Sequence, residues 1–215
     1  MSFLTFFASW SAEAADAHED LFLVLNPDPE TGGSAPALVV LARLASSVLP
    51  EVVVALMLLG LLLGPRVRVQ RHRLLIVLAA MGLAWLAARA LQSLWPQPRP
   101  FVVGLGTPWL AHPASPSFPS MHSTVAWAWA ASLVLWRKPW VTALAVITAA
   151  LIAWSRVGLG VHFPIDVTVG AMLGICAALF THMCFSPLRL RWMQCVGRRT
   201  VRRQRTRWLG AQRVL

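Results

Sequence analysis

The stretch Trp154-Ser155-Arg156-Val157-Gly158-Leu159-Gly160-Val161-His162-Phe163-Pro164-Ile165-Asp166 breaks two long apolar runs apart, and its polar residues set the reading of everything around it. It joins an arginine, a histidine and the only carboxylate that follows Glu51. A lone carboxylate beside apolar segments is costly unless it has a partner. His162, four residues before Asp166, supplies one. A carboxylate that accepts from one ring nitrogen fixes the tautomer and leaves the other nitrogen free to attack. Arg156, planar and permanently charged, suits the anionic group under attack, of which a phosphate is the leading choice.

Outward from this break, the apolar runs are long enough to cross a bilayer. Of the 215 residues 57% are hydrophobic and 13% charged, and the mean hydropathy is +0.63, which excludes an ordinary water-soluble domain. The expected fold is all-α, a polytopic membrane bundle of five spanning helices: Ala37–Gly64, Leu74–Trp95, Met121–Trp136, Pro139–Ser155 and Pro164–Phe185. The patches Phe3–Trp10 and Leu21–Leu25 are too short to span and are assigned to the membrane surface, followed by a loop over Asn26–Pro36. No basic residue precedes Arg43, which argues against a cleaved leader. The chain thus divides into an interfacial segment, 1–36, a membrane domain, 37–186, and a basic tail, 187–215. Cys176, Cys184 and Cys195 fall in or after the last span and are expected to be free thiols.

The net charge of +11 would suit nucleic acid, but its distribution does not. Nine of the 19 basic residues lie between Arg189 and Arg213, four more lie in Pro65–Arg73, and six of the eight acids precede Asp28 or Glu30 or are one of that pair. Such segregation is a topology signal, with the tail drawn to anionic lipid and no nucleic-acid module in view. Alternating spans put the basic loop Arg66–Arg73, the Arg137-Lys138 turn and the tail on the cytoplasmic side. The Pro-rich loop Pro96–Pro119, the start of the third span and the His162 loop then share the other side. Trp95, Trp109, Trp127, Trp129 and Trp154 group toward that outer face, and Trp136 and Trp140 toward the inner one, as aromatic belts would.

Three polar groups therefore converge outside: Arg99-Pro100, Pro119-Ser120-Met121-His122, and Ser155-Arg156 with His162 and Asp166. The pattern resembles the type 2 phosphatidic acid phosphatase superfamily, whose motifs are K-x6-R-P, P-S-G-H and S-R-x5-H-x3-D. The third motif matches in full through Ser155, Arg156, His162 and Asp166. The second has Met121 in place of glycine, and the first has Gln92 in place of lysine, with Arg89 one helical turn earlier able to reach the same region. The resemblance covers roughly residues 38–186. Arg99-Pro100-Phe101, Gly104-Leu105-Gly106 and Ser117-Phe118-Pro119-Ser120 look most like the undecaprenyl-diphosphate phosphatase branch, which implies lipid-carrier recycling for peptidoglycan at the bacterial cytoplasmic membrane.

What the resemblance and the residues imply together is a phosphohistidine enzyme. His162, oriented by Asp166, attacks phosphorus. Arg99 and Arg156 neutralise the equatorial oxygens. Ser120 caps the third span or bonds a phosphate oxygen, and His122 protonates the leaving oxygen and later draws a proton from water. Arg43, near the outer end of its helix, is a candidate contact for a second phosphate, and Glu51 a candidate partner of Arg89. Ser155, Gln92 and Arg89 complete the candidate substrate contacts. No cofactor or metal is required. A two-histidine, one-carboxylate metal triad is the competing use of His122, His162 and Asp166, but two arginines would repel a cation. Gly158 and Gly160 lack the strand and third glycine of a dinucleotide fingerprint. His18, His72, His112 and His182 have no motif neighbours and are read as structural. The expected partners are an isoprenyl-lipid diphosphate and membrane lipid, while the oligomeric state is not encoded legibly. Other lipid phosphates (phosphatidylglycerophosphate, phosphatidic acid, lipid A), transfer to an acceptor other than water, and a silent lipid-phosphate binder that Gln92 and Met121 would permit are the alternatives.

Overall fold

Leucine faces outward in this chain and alanine faces inward. In a computed structural model that describes residues 18–27, 35–63, 68–136 and 138–185, Ala42, Ala80, Ala84, Ala88, Ala128, Ala145, Ala149 and Ala178 are buried, whereas Leu56, Leu58, Leu62, Leu86 and Leu144 are exposed. Water would reverse that order. Lipid does not, because tails solvate leucine as well as a protein core does and helices associate through close contact of small residues.

The described residues form α1 (18–25), α2 (Ala35–Leu63), α3 (Arg68–Leu94), α4 (Met121–Val134), α5 (Pro139–Gly158) and α6 (Pro164–Phe185), with a 3-10 turn at Pro100–Val102 and no strand among them. Four helices are long and apolar enough to cross a membrane: Pro36–Leu63, Arg71–Leu94, Pro139–Gly158 and Pro164–Phe185. The expected third span is shorter than its apolar run. Its 14 residues measure about 21 Å at 1.5 Å per residue, and the helix lies inside the bundle against α3, α5 and α6. Other boundaries shift too. α3 begins at Arg68, so most of the expected basic loop is helical, and α5 runs on to Gly158, which places Arg156 in its last turn.

Glycine sets the closest approach. Gly170 and Gly174, one turn apart on α6, face α4. A Cβ at Gly170 would stand 2.8 Å from Ser120 O, and one at Gly174 would collide with Thr124 O. That spacing of small residues lets two backbones touch. It also brings the start of α4 to the start of α6, where Ser120 N donates to Asp166 O at 3.0 Å. At the far end His72 Nε2 meets Phe185 O at 3.0 Å. The alternation of helix direction therefore collects the ends of α3 and α5 and the starts of α2, α4 and α6 at one pole.

Several expectations are corrected here. Trp129 is buried with Ile152, Val77 and Leu133, Trp127 and Trp136 pack against that cluster, and Trp109 and Trp154 pack around Leu159 and Val161. Of the grouped tryptophans only the exposed Trp95 and Trp140 fit a belt. Glu51 and Arg89 are both exposed and form no salt bridge with each other; Asp166 and His162 are the one such pair among the described residues. The segment 18–27 is tied to the bundle through Phe22, which is fully buried with its ring 5.5 Å from that of Phe163, while Leu21, Leu23 and Val24 stay exposed. Asn26 donates to Thr107 O at 3.1 Å and Gly158 O at 3.0 Å and accepts from Thr107 N at 2.6 Å, so it clamps the Pro-rich loop to the end of α5. The Phe3–Trp10 patch, Cys195 and the basic tail lie outside the described residues.

Candidate active site

The end of α5 folds back on itself. Val161 N and His162 N both donate to Arg156 O at 3.2 Å, and Gly160 turns the chain with φ +72°. Only glycine fits there, because a Cβ would strike Thr107 O as well as meet an unfavourable left-handed backbone. Pro164 then opens α6, and Asp166 sits in its first turn, where the helix dipole favours a negative charge.

Asp166 and His162 are each 2% exposed, a burial that would be prohibitive without donors. Asp166 Oδ2 has three. Phe163 N donates at 2.9 Å, His162 Nδ1 lies at 3.3 Å, and Ser117 Oγ makes a very short contact. Ser117 Oγ also stands 3.2 Å from His162 Nδ1. Since a carboxylate can only accept, Nδ1 carries the hydrogen and Nε2 the lone pair. Arg99 Nη1 donates to that nitrogen at 3.1 Å and to Val161 O at 2.8 Å, while its Nε donates to Ser115 O at 2.9 Å and its Nη2 to Ser115 Oγ at 3.2 Å and Pro116 O at 3.3 Å. Burial first, then the positive charge of Arg156 and Arg99, pushes the His162 imidazole down to about 4 against the opposing pull of Asp166. At neutral pH the ring is uncharged and its Nε2 is a base.

Arg156 approaches from α5, 2% exposed, with Nη1 on Ser46 Oγ of α2. Pro50 lacks the N–H that Ser46 O would receive in an unbroken helix, so the α2 turn that meets Arg156 is already irregular in its hydrogen bonding. Two groups here have no partner: Arg156 Nε and Ser120 Oγ are buried and unbonded. Ser120 therefore N-caps α4 by position but not through its hydroxyl. His122, on the next residue but one, lies within electrostatic reach of Arg156, His162, His112 and Arg99. Arg99, Ser120, His122, Arg156, His162 and Asp166 are thus brought together from two loops and three helices.

The sequence and the fold match a known group of proteins. The PAP2 superfamily model covers residues 73–189. The chain belongs to the PAP2 superfamily. Over 163 residues it is 34% identical to the Escherichia coli (strain K12) protein named "Putative undecaprenyl-diphosphatase YbjG", spanning 74% of this chain and 78% of that one. Among solved structures, Aquifex aeolicus LpxE superposes with a TM-score of 0.62 at 25% identity, covering 77% of this chain and 94% of LpxE. A PAP2-type phosphatidylglycerolphosphate phosphatase from Bacillus subtilis shares the fold, with a TM-score of 0.56 at 24% identity and coverage of 80% and 84%. The protein is a multi-pass membrane enzyme of the lipid phosphate phosphatase type.

Four expected contacts of this PAP2 chain lie elsewhere. Gln92 Nε2 donates to Pro119 O at 3.1 Å, so it holds the backbone ahead of Ser120. Ser155 Oγ donates to Ile152 O within its own helix. Arg43 grips Trp109 O through Nε at 3.2 Å and Nη2 at 2.8 Å. Arg89 is exposed and lines a separate surface pocket with Gln92, Ser93 and Pro116. The first three each donate to a backbone carbonyl. Among the described residues no three His, Cys, Asp or Glu side chains are grouped to hold a metal ion.

Ser117 is the residue that sequence reasoning missed, although it stands in the quoted Ser117-Phe118-Pro119-Ser120 pattern. It links Asp166 and His162 from 45 or more positions away. Ser117→Ala should lower kcat by about 10- to 100-fold with little change in KM, because an orienting partner and not a substrate contact is lost. Steady-state kinetics that find the variant within about twofold of wild type would remove Ser117 from the site.

Proposed function

We propose that this protein hydrolyses a lipid-linked diphosphate, undecaprenyl diphosphate in the first instance, to the lipid monophosphate and inorganic phosphate through a phosphohistidine on His162 Nε2. One observation carries the reading: a buried, neutral imidazole has Nδ1 fixed by Asp166 and Ser117 and Nε2 facing a guanidinium, beside buried polar atoms of Arg156 and Ser120 that have no protein partner. Unpaired buried donors are costly, and a phosphoryl group would satisfy both.

In the first step an oxygen of the terminal phosphate draws the Arg99 N–H away from Nε2, freeing the lone pair. The Nε2–P bond forms and the P–O bond to the bridging oxygen breaks, with Arg99, Arg156 and Ser120 holding the equatorial oxygens. The negative charge of the bound diphosphate offsets the two arginines and lets His122 take a proton from solvent; His122 passes that proton to the departing oxygen and then takes one from the water that cleaves the phosphohistidine. Inorganic phosphate leaves and His162 is restored. No step requires a cofactor.

The lipid part has a place to go. A cavity of about 220 Å³ between α2, α3, α4 and α5 is lined by Pro50, Val53, Met81, Met121, Val125 and Ile152, with His122 as a lining residue that titrates. Met121, which stands where the family motif has glycine, contributes apolar wall next to the proposed acid. The relative named for undecaprenyl diphosphate favours an isoprenoid chain there. The basic residues Arg71 and Arg73 lie at the pole opposite His162, which under the positive-inside rule supports a catalytic pole outside the cytoplasmic membrane with the C-terminus inside.

The test is a comparison of kcat/KM for an isoprenyl diphosphate, phosphatidic acid and phosphatidylglycerophosphate in detergent. The diphosphate should win by about tenfold or more. A preference for phosphatidylglycerophosphate would move the assignment to the activity named for the Bacillus protein.

A further inference from the structure

His112 carries no motif, yet the loop that bears it is anchored to the site on both sides. Three residues before it, Trp109 N donates to Leu159 O at 3.1 Å, and Arg43 holds Trp109 O. Three residues after it, Ser115 receives Arg99 through both its carbonyl and its hydroxyl. Seven residues pinned at both ends leave His112 at the middle of a short arch, one end of which is held by the guanidinium that faces His162. The ring is half-buried, and its Nδ1 lies 3.0 Å from Pro113 O. A carbonyl only accepts, so Nδ1–H donates and Nε2 is the atom left to face outward from that bond.

Resting on the diphosphate reading above, we infer that His112 is the contact for the second phosphate, the one that departs with the isoprenyl chain. The charge balance explains why a histidine suits that place. The groups around it are Arg99 from the loop, Arg156 from α5 and His122 from α4. Burial above all, and then the charges of Arg99 and Arg156, holds its basicity below the usual imidazole range, with the Pro113 bond opposing. A diphosphate reverses the electrostatic part, because its negative charge offsets both arginines and adds attraction of its own. The ring then takes a proton from solvent onto Nε2, and Nε2–H donates to the second phosphate. As the Nε2–P bond forms on His162, the electron pair of the broken P–O bond settles on the bridging oxygen, which becomes an oxygen of the leaving monophosphate. His112 holds that charge and keeps its proton, while His122 supplies the one that goes to the bridging oxygen. A monophosphate substrate has no second phosphate and gains nothing from His112.

The experiment uses the full chain in detergent, turning over whichever lipid phosphate it hydrolyses fastest, and measures inhibition constants for inorganic phosphate and inorganic diphosphate. In wild type the diphosphate should bind more tightly. His112→Ala should shrink the ratio of the two constants by about tenfold, the size expected for a hydrogen bond to a charged group, and His112→Gln, which keeps a donor, should restore part of it. Two results overturn the inference: an unchanged ratio, or both constants rising together, which would make His112 a prop for the loop. Thermal melts of both variants identify a folding loss, and the glutamine variant then carries the test. Failure of the substrate reading looks different, since it appears in wild type as a preference for a lipid monophosphate over an isoprenyl diphosphate. A shrunken ratio in that case would still leave His112 as the second-phosphate contact of the site.

Discussion

His162→Ala should release no measurable phosphate from any lipid phosphate, a loss of about 10⁴-fold or more, because the proposed acceptor of the phosphoryl unit is gone and nothing nearby replaces it. Ser117 and Ser120 are the neighbouring hydroxyls, but Ser117 is bonded to Asp166 and no base is seen bonded to Ser120. The loss should be chemical and not structural. His162→Asn keeps a polar side chain of similar reach near Asp166 and Ser117, and it should fold while remaining equally inactive. The pH profile adds an independent readout. With the free imidazole held at about 4, protonation of Nε2 removes the attacking lone pair as pH falls through that value. The acid limb of kcat/KM should therefore drop tenfold per pH unit below about 4 instead of below the usual histidine value near 6.5. A residual rate within about tenfold of wild type in His162→Ala would mean that another group attacks.

Residues whose chemistry is local were legible in the sequence, and residues whose chemistry is a long-range contact were not. Arg156, His162 and Asp166 fall within eleven positions, and four-residue spacing from His162 to Asp166 is enough to bring a ring nitrogen to a carboxylate across a helix start. The pole at which they meet Arg99 and His122 followed from counting apolar runs, although one of those runs became a 14-residue inner helix. Apolarity measures what avoids water and does not separate a lipid-facing helix from one enclosed by other helices.

Ser117 and Asn26 escaped for a different reason. Both act on atoms that are distant in sequence, Asn26 on a carbonyl 132 positions away, and no periodicity or spacing encodes such a bond. The converse error concerns Arg43, Gln92 and Ser155. Polar side chains in apolar surroundings invite a ligand, but carbonyls freed by loops attract them equally well, and here those of Trp109 and Pro119 took Arg43 and Gln92, while Ser155 back-bonds to Ile152 O within α5.

His122→Ala should separate the two substrate classes. When phosphatidic acid is attacked, the leaving group is an alkoxide, which must be protonated as the bond breaks. When an isoprenyl diphosphate is attacked, the leaving group is a phosphate monoester whose second pKa is about 6, and it can depart without help. Removal of a general acid is worth about 10²- to 10⁴-fold where protonation is needed. On phosphatidic acid kcat/KM should fall within that range, and on the diphosphate by about tenfold or less. The choice of kcat/KM matters, because in the proposed mechanism hydrolysis of the phosphohistidine is common to both substrates and also uses His122, so kcat would fall alike for each. Specificity constants report only the steps through the first irreversible one, which is phosphoryl transfer to His162. His122 also lines the apolar cavity, and a lost wall contact would weaken both lipids together by raising KM. An equal loss of kcat/KM on the two substrates, with KM unchanged, would contradict both the diphosphate assignment and the role of His122 as the acid.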